Sequence, residues 1–132
     1  MMYMLDINTI IYAIRHPEWD ICKKIKKHLG KDLYISSITY GELEYGIQKS
    51  SDPVKNRIAT VQFLIGMRIL DFDEKAAIHF GEIFADLEKK GQRIGDRDML
   101  IAAHARSISA VLVTNNTREF SRVQNLMIED WK

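Results

Sequence analysis

The sequence predicts an α/β domain: a central parallel sheet of four to five strands, with helices on both faces. Three observations predict it. Short apolar runs of strand length, Tyr3–Leu5, Leu33–Ile35 and Val111–Val113, are separated by longer stretches whose apolar residues recur at helical spacing. Helix-starting residues follow those runs, and strands alternating with helices build βαβ units, which close a parallel sheet. No linker, repeat or low-complexity segment interrupts the 132 residues, a length suited to one domain spanning residues 1–132.

Taken in order, Tyr3 to Leu5 is a buried strand, and Asn8 or Thr9 is placed to cap a short helix from Thr9 to Ile14. Pro17 suits a first helical position and Gly30 a stop, which predicts a second helix over 17–29. Leu33 to Ile35 is the next strand. Ser36 and Ser37 are cap candidates for a helix from Ile38 to about Lys49, and Ser51-Asp52-Pro53 starts another through Phe63, Leu64 and Ile65. Arg68 to Phe72 is a third strand candidate, and Asp73 caps an amphipathic helix to Lys90, with Ala76, Phe80, Ile83, Phe84 and Leu87 on one face. Gly91 ends it. Asp96 is the natural cap of a helix carrying the apolar MLIAAHA, Val111 to Val113 is the clearest buried strand, Thr114 to Thr117 turns, and Leu126 to Ile128 is a fifth strand.

Composition narrows the function. The chain is 46% apolar and 28% charged, ordinary for a globular protein, and no apolar run approaches the roughly 20 residues that span a bilayer. No positive-then-apolar leader opens it, and Cys22 is the one cysteine, so no internal disulfide is possible and a reducing cytoplasm is the expected compartment. The net charge of +1 does not announce a nucleic-acid partner. The basic run Lys23, Lys24, Lys26, Lys27 and Lys31 reads first as a solvated helix face.

The chemistry lies in the acids. Asp6 ends the first strand, where open α/β sheets bind ligands. Glu42 lies in the early turns of its helix, Asp98 in the first turn of an apolar one, and TNNTREF offers Asn116 and Glu119 just after a strand. Capping, dipole stabilisation or turn formation explains each singly. Jointly they converge on one rim of a parallel sheet. Carboxylates about 4 Å apart repel by roughly 1 kcal/mol in water and ~4 kcal/mol at an effective dielectric of 20, a cost that a divalent cation removes. The donors are all hard oxygens, which favours Mg²⁺ or Mn²⁺ over zinc and points to metal-assisted phosphodiester hydrolysis.

Across nearly its whole length the sequence resembles PIN-domain proteins, and among them the VapC toxins of type II toxin–antitoxin pairs. MLDIN is similar to the opening D-x-N motif, ISSITYGELEYGI to the Glu-bearing helix, IGDRDMLIAAHA to the third motif, and VTNNTREFSRV with EDWK to the closing segment. The resemblance implies a Mg²⁺- or Mn²⁺-dependent endoribonuclease, a homodimer inhibited by a VapB-type antitoxin, and RNA, first of all tRNA, as substrate. It places Asp6, Glu42 and Asp98 at the acidic positions, with Asp6 and Asp98 as metal ligands. Glu119 falls at a further acidic position, and Asn8, Thr114, Asn116 and Asp96 are supporting polar residues. Ile7 stands where the family commonly has Thr or Ser, and Asn116 where many relatives have Asp. The missing charge leads us to expect one tightly held metal.

Other residues have plainer expectations. His104 is expected as a hydrogen-bonded core histidine. Arg93, Arg97, Arg118 and Arg122 flank the third and fourth motifs, where they are as suited to solvent as to RNA phosphates. A haloacid-dehalogenase-like phosphotransferase needs D-x-D where this chain has Asp6-Ile7-Asn8, and a receiver domain needs paired early acids. Both are disfavoured. The alternative from another class is a catalytically silent module that acts through its antitoxin in operon repression.

Overall fold

The computed structural model describes residues 1–132. The elements are β1 (Tyr3–Leu5), α1 (Ile7–Arg15), α2 (Asp20–His28), β2 (Leu33–Ser36), α3 (Ser37–Lys49), α4 (Pro53–Leu64), β3 (Arg68–Leu70), α5 (Glu74–Lys89), α6 (Asp96–Ser107), β4 (Val111–Val113), α7 (Thr117–Phe120) and β5 (Met127–Glu129). All five strands are parallel, in the order β3-β2-β1-β4-β5. The chain thus winds outward from β1 to one edge, returns, and winds outward again through β4 to the other. Between β1 and β4 the winding reverses, which leaves a crevice at their carboxyl ends.

Side-chain alternation along β1 divides the core. Met4 points to one face and joins Leu112, Ile83, Leu87, Met99 and Phe120 under α5 and α6. Leu5 points to the other and joins Leu33, Ile35, Val113, Ile10 and Ile25 under α1 and α2. Such two-sided burial explains why the strands read as continuous apolar runs. The short strands are in register Tyr3↔Val111, Met4↔Leu112 and Leu5↔Val113, so the first strand depends on a partner more than a hundred residues away.

Several element starts differ from expectation. Asp6, not Asn8 or Thr9, caps α1: its Oδ1 accepts from the Thr9 amide at 2.9 Å, and α1 begins at Ile7. Pro17 does not open α2, which begins at Asp20 after Trp19 adopts an extended conformation. Asp96 does not cap α6; Gly95 is the capping residue, and Asp96 is the first residue inside the helix. The expected turn after β4 continues into the short helix α7, and β3 and β5 each cover three residues. The caps at Ser36 and Asp73 are as expected, and Asp52, within the expected helix-starting triplet, caps α4; each accepts a backbone amide of the first turn. Gly30 and Gly91 follow their helices at φ +73° and +65°, a conformation that costs glycine little.

Candidate active site

Asp6 is carried directly off β1 into the crevice beside β4. Its backbone amide donates to the Val113 carbonyl at 3.1 Å, and the Thr9 hydroxyl donates to the same carbonyl at 3.1 Å. Asp6 is therefore fixed to both central strands. It is only 6% exposed, and burial pushes its carboxyl above the ordinary value. The Thr114 hydroxyl and the Thr9 amide oppose that shift by favouring the charged form. Thr114 is fully buried at the end of β4, and its Oγ1 also accepts the Asn116 amide at 3.0 Å.

Glu42 reaches the same crevice from α3. Its carboxyl is raised, mainly by burial and further by the charges of Asp98 and Asp6, while Arg97 pulls it down. The Arg97 guanidinium lies 3.5 Å from Glu42 Oε2. Asp98 comes from the first turn of α6. A β-carbon at Gly95 would meet Asp98 Oδ2 at 3.4 Å, so the absence of a side chain at the cap leaves room for the carboxylate to fold over its own helix start. Burial again raises it most, followed by the charges of Glu119 and Asp6. Glu119, on α7, accepts from the Asn116 side-chain amide at 3.3 Å.

The structure thus brings Asp6, Glu42 and Asp98 together at the switch point, with Glu119 adding its charge beside Asp98 and Thr114 supporting Asp6. Asn8 is exposed on the first turn of α1. Asp96 is turned away, its side chain 72% exposed and paired with Arg93 at 2.8 Å. Arg93 in turn lies over the Phe84 ring at 4.7 Å, and Arg122 reaches the Arg93 carbonyl at 3.4 Å. Glu44, two residues beyond Glu42, is engaged by Arg57 of α4 through both guanidinium arms, at 2.6 and 2.7 Å.

His104 is buried, as expected, and its role is specific. Its Nδ1 lies 2.8 Å from the Ser36 hydroxyl, and Ser36 caps the helix that presents Glu42. The Ser36 oxygen already accepts from the Ile38 amide at 3.1 Å, so its hydroxyl proton is available for the imidazole nitrogen. One neighbour of the site escaped the sequence reading. Asp130, just beyond β5, adds negative charge to the surroundings of Asp6. Its sequence signals are its place directly after β5 and its membership of the closing EDWK, where no role was assigned to it.

The donor chemistry fits a hard divalent cation. Asp6 and Asp98 raise Glu42, and Asp6 and Glu119 raise Asp98, crowding that a cation relieves. No three His, Cys, Asp or Glu side chains are gathered tightly enough to enclose an ion. Two carboxylates suffice for Mg²⁺, which keeps several waters and takes one or two protein carboxylates.

An acidic, oxygen-lined crevice at the switch point of a parallel sheet is the arrangement of an α/β domain suited to work on phosphate esters. The chain belongs to the PIN-domain family, whose model matches residues 3–126, and within it to the VapC ribonucleases. It is 46% identical to ribonuclease VapC2 of Haemophilus influenzae over 131 residues, covering 99% of this chain and 98% of that one. It is 42% identical to the tRNA(fMet)-specific endonuclease VapC of Salmonella typhimurium, with the same coverage. Among solved structures, VapBC2 of Rickettsia felis, bound to a DNA fragment from its promoter, matches with a TM-score of 0.94 and 38% identity over 100% of both chains. PIN-domain ribonucleases generally depend on divalent metals.

Proposed function

We propose that this protein is an endoribonuclease toxin that cleaves tRNA with Mg²⁺, for which Mn²⁺ substitutes, and that a VapB-type antitoxin holds it inactive. One observation carries the reading: Asp6, Glu42 and Asp98 come from three separate parts of the chain and share one crevice, where Asp6 raises both Glu42 and Asp98, and Asp98 raises Glu42. The relatives named as ribonucleases and as a tRNA(fMet)-specific endonuclease support the substrate class, and the VapBC assembly supports the partner. No helix is long and apolar enough to cross a membrane; the toxin we propose works in the cytoplasm as a homodimer.

Asp6 and Asp98 would hold the cation, which when bound supplies positive charge against the phosphate and makes water easier to deprotonate. Glu42, raised by burial, is suited to take a proton from the attacking water, and Glu119 to hold a second water or the substrate's hydroxyl. Thr114 opposes the effect of burial on Asp6 and so favours its charged form. The Thr9 amide fixes Asp6 Oδ1, which leaves Oδ2 outside the cap.

Purified protein with Mg²⁺ should cleave tRNA, and Asp6→Ala and Asp98→Ala should not; equal cleavage by both variants would reject the site. A second reading has its own support, since the Rickettsia felis relative was captured on promoter DNA. Here the chain would act as a silent module in operon repression. Expression without an antitoxin separates the two, because an active toxin arrests growth and a silent module does not.

A further inference from the structure

The helix that carries Asp98 and the helix that carries Glu42 are joined at two points. The outer joint lies at the mouth of the crevice, where the Arg97 guanidinium sits 3.5 Å from Glu42 Oε2 and its side chain is 67% exposed. The inner joint lies in the core. His104, further along α6 and only 1% exposed, has its Nδ1 2.8 Å from the hydroxyl of Ser36, which is fully buried at the start of α3. The imidazole meets the Phe72 ring edge-on at 5.5 Å, and the Phe72 amide donates to the Ser37 hydroxyl oxygen at 3.0 Å. His104, Ser36, Ser37 and Phe72 therefore close a circuit around the first turn of α3.

Packing alone does not call for a histidine there. The buried face of α6 is otherwise mostly apolar, with Met99, Ala102, Ala103 and Ala105, and a leucine would fill the space with no polar atom to satisfy. What the polar pair adds is direction. A hydrogen bond is made at one distance and angle, whereas apolar side chains slide past one another. The exposed Arg97–Glu42 pair alone is a pivot, because surface ion pairs between long side chains hold their geometry weakly. A second, buried bond at another point along α6 turns that pivot into a fixed angle. The charges that reach His104 come from Asp73 and Asp71, on either side of Phe72; burial outweighs both and favours the neutral ring.

We propose that His104 is a positioning residue for hydrolysis: by accepting a hydrogen bond from the Ser36 hydroxyl at Nδ1, it fixes α3 against α6 at the angle that sets Glu42 beside Asp98 and Asp6. The proposal rests on the ribonuclease reading and adds to it a residue that touches neither substrate nor cation. Ser36 already accepts the Ile38 amide at 3.1 Å, so its own proton is left for the imidazole, and the ring carries its proton on Nε2. Glu42 lies in the second turn of the helix that Ser36 caps, so a tilt at the cap is carried to the carboxylate. A displacement on the order of 1 Å is enough to cost about 100-fold in turnover.

The test compares two replacements in the full chain. His104→Asn sets a carbonyl oxygen close to where Nδ1 stood and keeps the acceptor, but leaves a cavity beside Phe72. His104→Leu fills the space and removes the acceptor. The Leu variant should therefore melt no lower than the Asn variant, yet lose about tenfold or more in kcat for tRNA cleavage with Mg²⁺ at nearly unchanged KM. The Asn variant should retain most of the parent kcat, both being assayed well below their melts. Activity that follows melting temperature overturns the proposal, because a purely structural histidine gives that order. With no metal or RNA present, NMR titration of the carboxylates should show Glu42, held up mainly by burial, falling toward 4.5 in His104→Leu and staying at the parent position in His104→Asn. A parent-like Glu42 in the Leu variant overturns the proposal too. Proton–nitrogen correlation spectra of the His104 ring at neutral pH should show Nδ1 bare and Nε2 protonated; a protonated Nδ1 reverses the bond and overturns it equally. Should His104→Leu fail to fold, Ser36→Ala removes the donor instead and should show the same fall in kcat and in Glu42, with Ser36→Thr restoring both. Parent-like values in Ser36→Ala then reject the brace. No tRNA cleavage by the wild type under Mg²⁺ or Mn²⁺ rejects the ribonuclease reading itself, whereas the ring and Glu42 measurements decide the brace independently.

Discussion

Asp6 does two things with one side chain: Oδ1 caps α1, and the same carboxylate faces the acidic crevice. In the sequence these uses compete as explanations; in the structure they are compatible, because a cap needs one oxygen. Asp98 has no such structural duty, since Gly95 occupies the cap. It follows that Asp98→Asn should cut turnover at least about 100-fold while raising the metal-free melting temperature by about a few degrees. The sign comes from the direction of its shift. The unfolded carboxyl titrates near 3.8 and the folded one higher, so above 3.8 ionisation costs the folded state, and removing the charge removes that cost. Circular dichroism melts in EDTA, beside tRNA cleavage rates, check both halves. His104 behaves oppositely. Burial lowers it below 6.5 against the opposing charges of Asp73 and Asp71. As pH falls through 6.5 the unfolded chain takes the proton first, so stability is lost from there down to the folded value. His104→Gln should flatten the melting temperature between pH 7 and 5. Arg97 and Asp130 were not legible as neighbours of Glu42 and Asp6, because a charge on an exposed helix turn or a strand end has no periodic signature.

Among the elements, α4 is the least anchored. None of its residues is fully buried, and Val54, Ile58, Val61 and Ile65 are all more than half exposed. The Arg57–Glu44 pair fastens it to α3, and that pairing holds the Glu44 carboxyl down at about 2. Its contribution is present above pH 4.5 and fades as pH falls toward 2. Arg57→Gln should therefore speed hydrogen exchange across Pro53–Leu64 near neutral pH while the sheet amides keep their protection. The core elements respond differently. Leu112 is fully buried between β1 and the α5/α6 layer, and Leu112→Ala should cost about 2–5 kcal/mol in urea unfolding. The central strands were readable because their apolar runs are buried from both sides, and α5 because its apolar residues recur on one face. Helix starts near Pro17 and Asp96 were not, because local capping chemistry yielded to an extended Trp19 and to a glycine whose missing side chain makes room for Asp98.

At the scale of the molecule, the acidic crevice couples folding to the cation. The folded protein gathers charges that the unfolded chain keeps apart, so a hard divalent ion should stabilise N over U. Mn²⁺ should raise the melting temperature at pH 7, and the increment should shrink as acid protonates Asp6, Glu42 and Asp98, all of which titrate above their ordinary values. Calorimetry in two buffers of different ionisation heat should register proton release on Mn²⁺ binding at mildly acidic pH.

The pairing of Tyr3–Leu5 with Val111–Val113 has a temporal corollary. Synthesis runs from the amino end, so the strand that delivers Asp6 emerges first and waits for its central neighbour until nearly the whole polypeptide exists. Asp98 and Thr114 arrive almost as late. A ribosome holding a half-made chain therefore displays no assembled acidic crevice, which is complete only once the message has been read through Glu119.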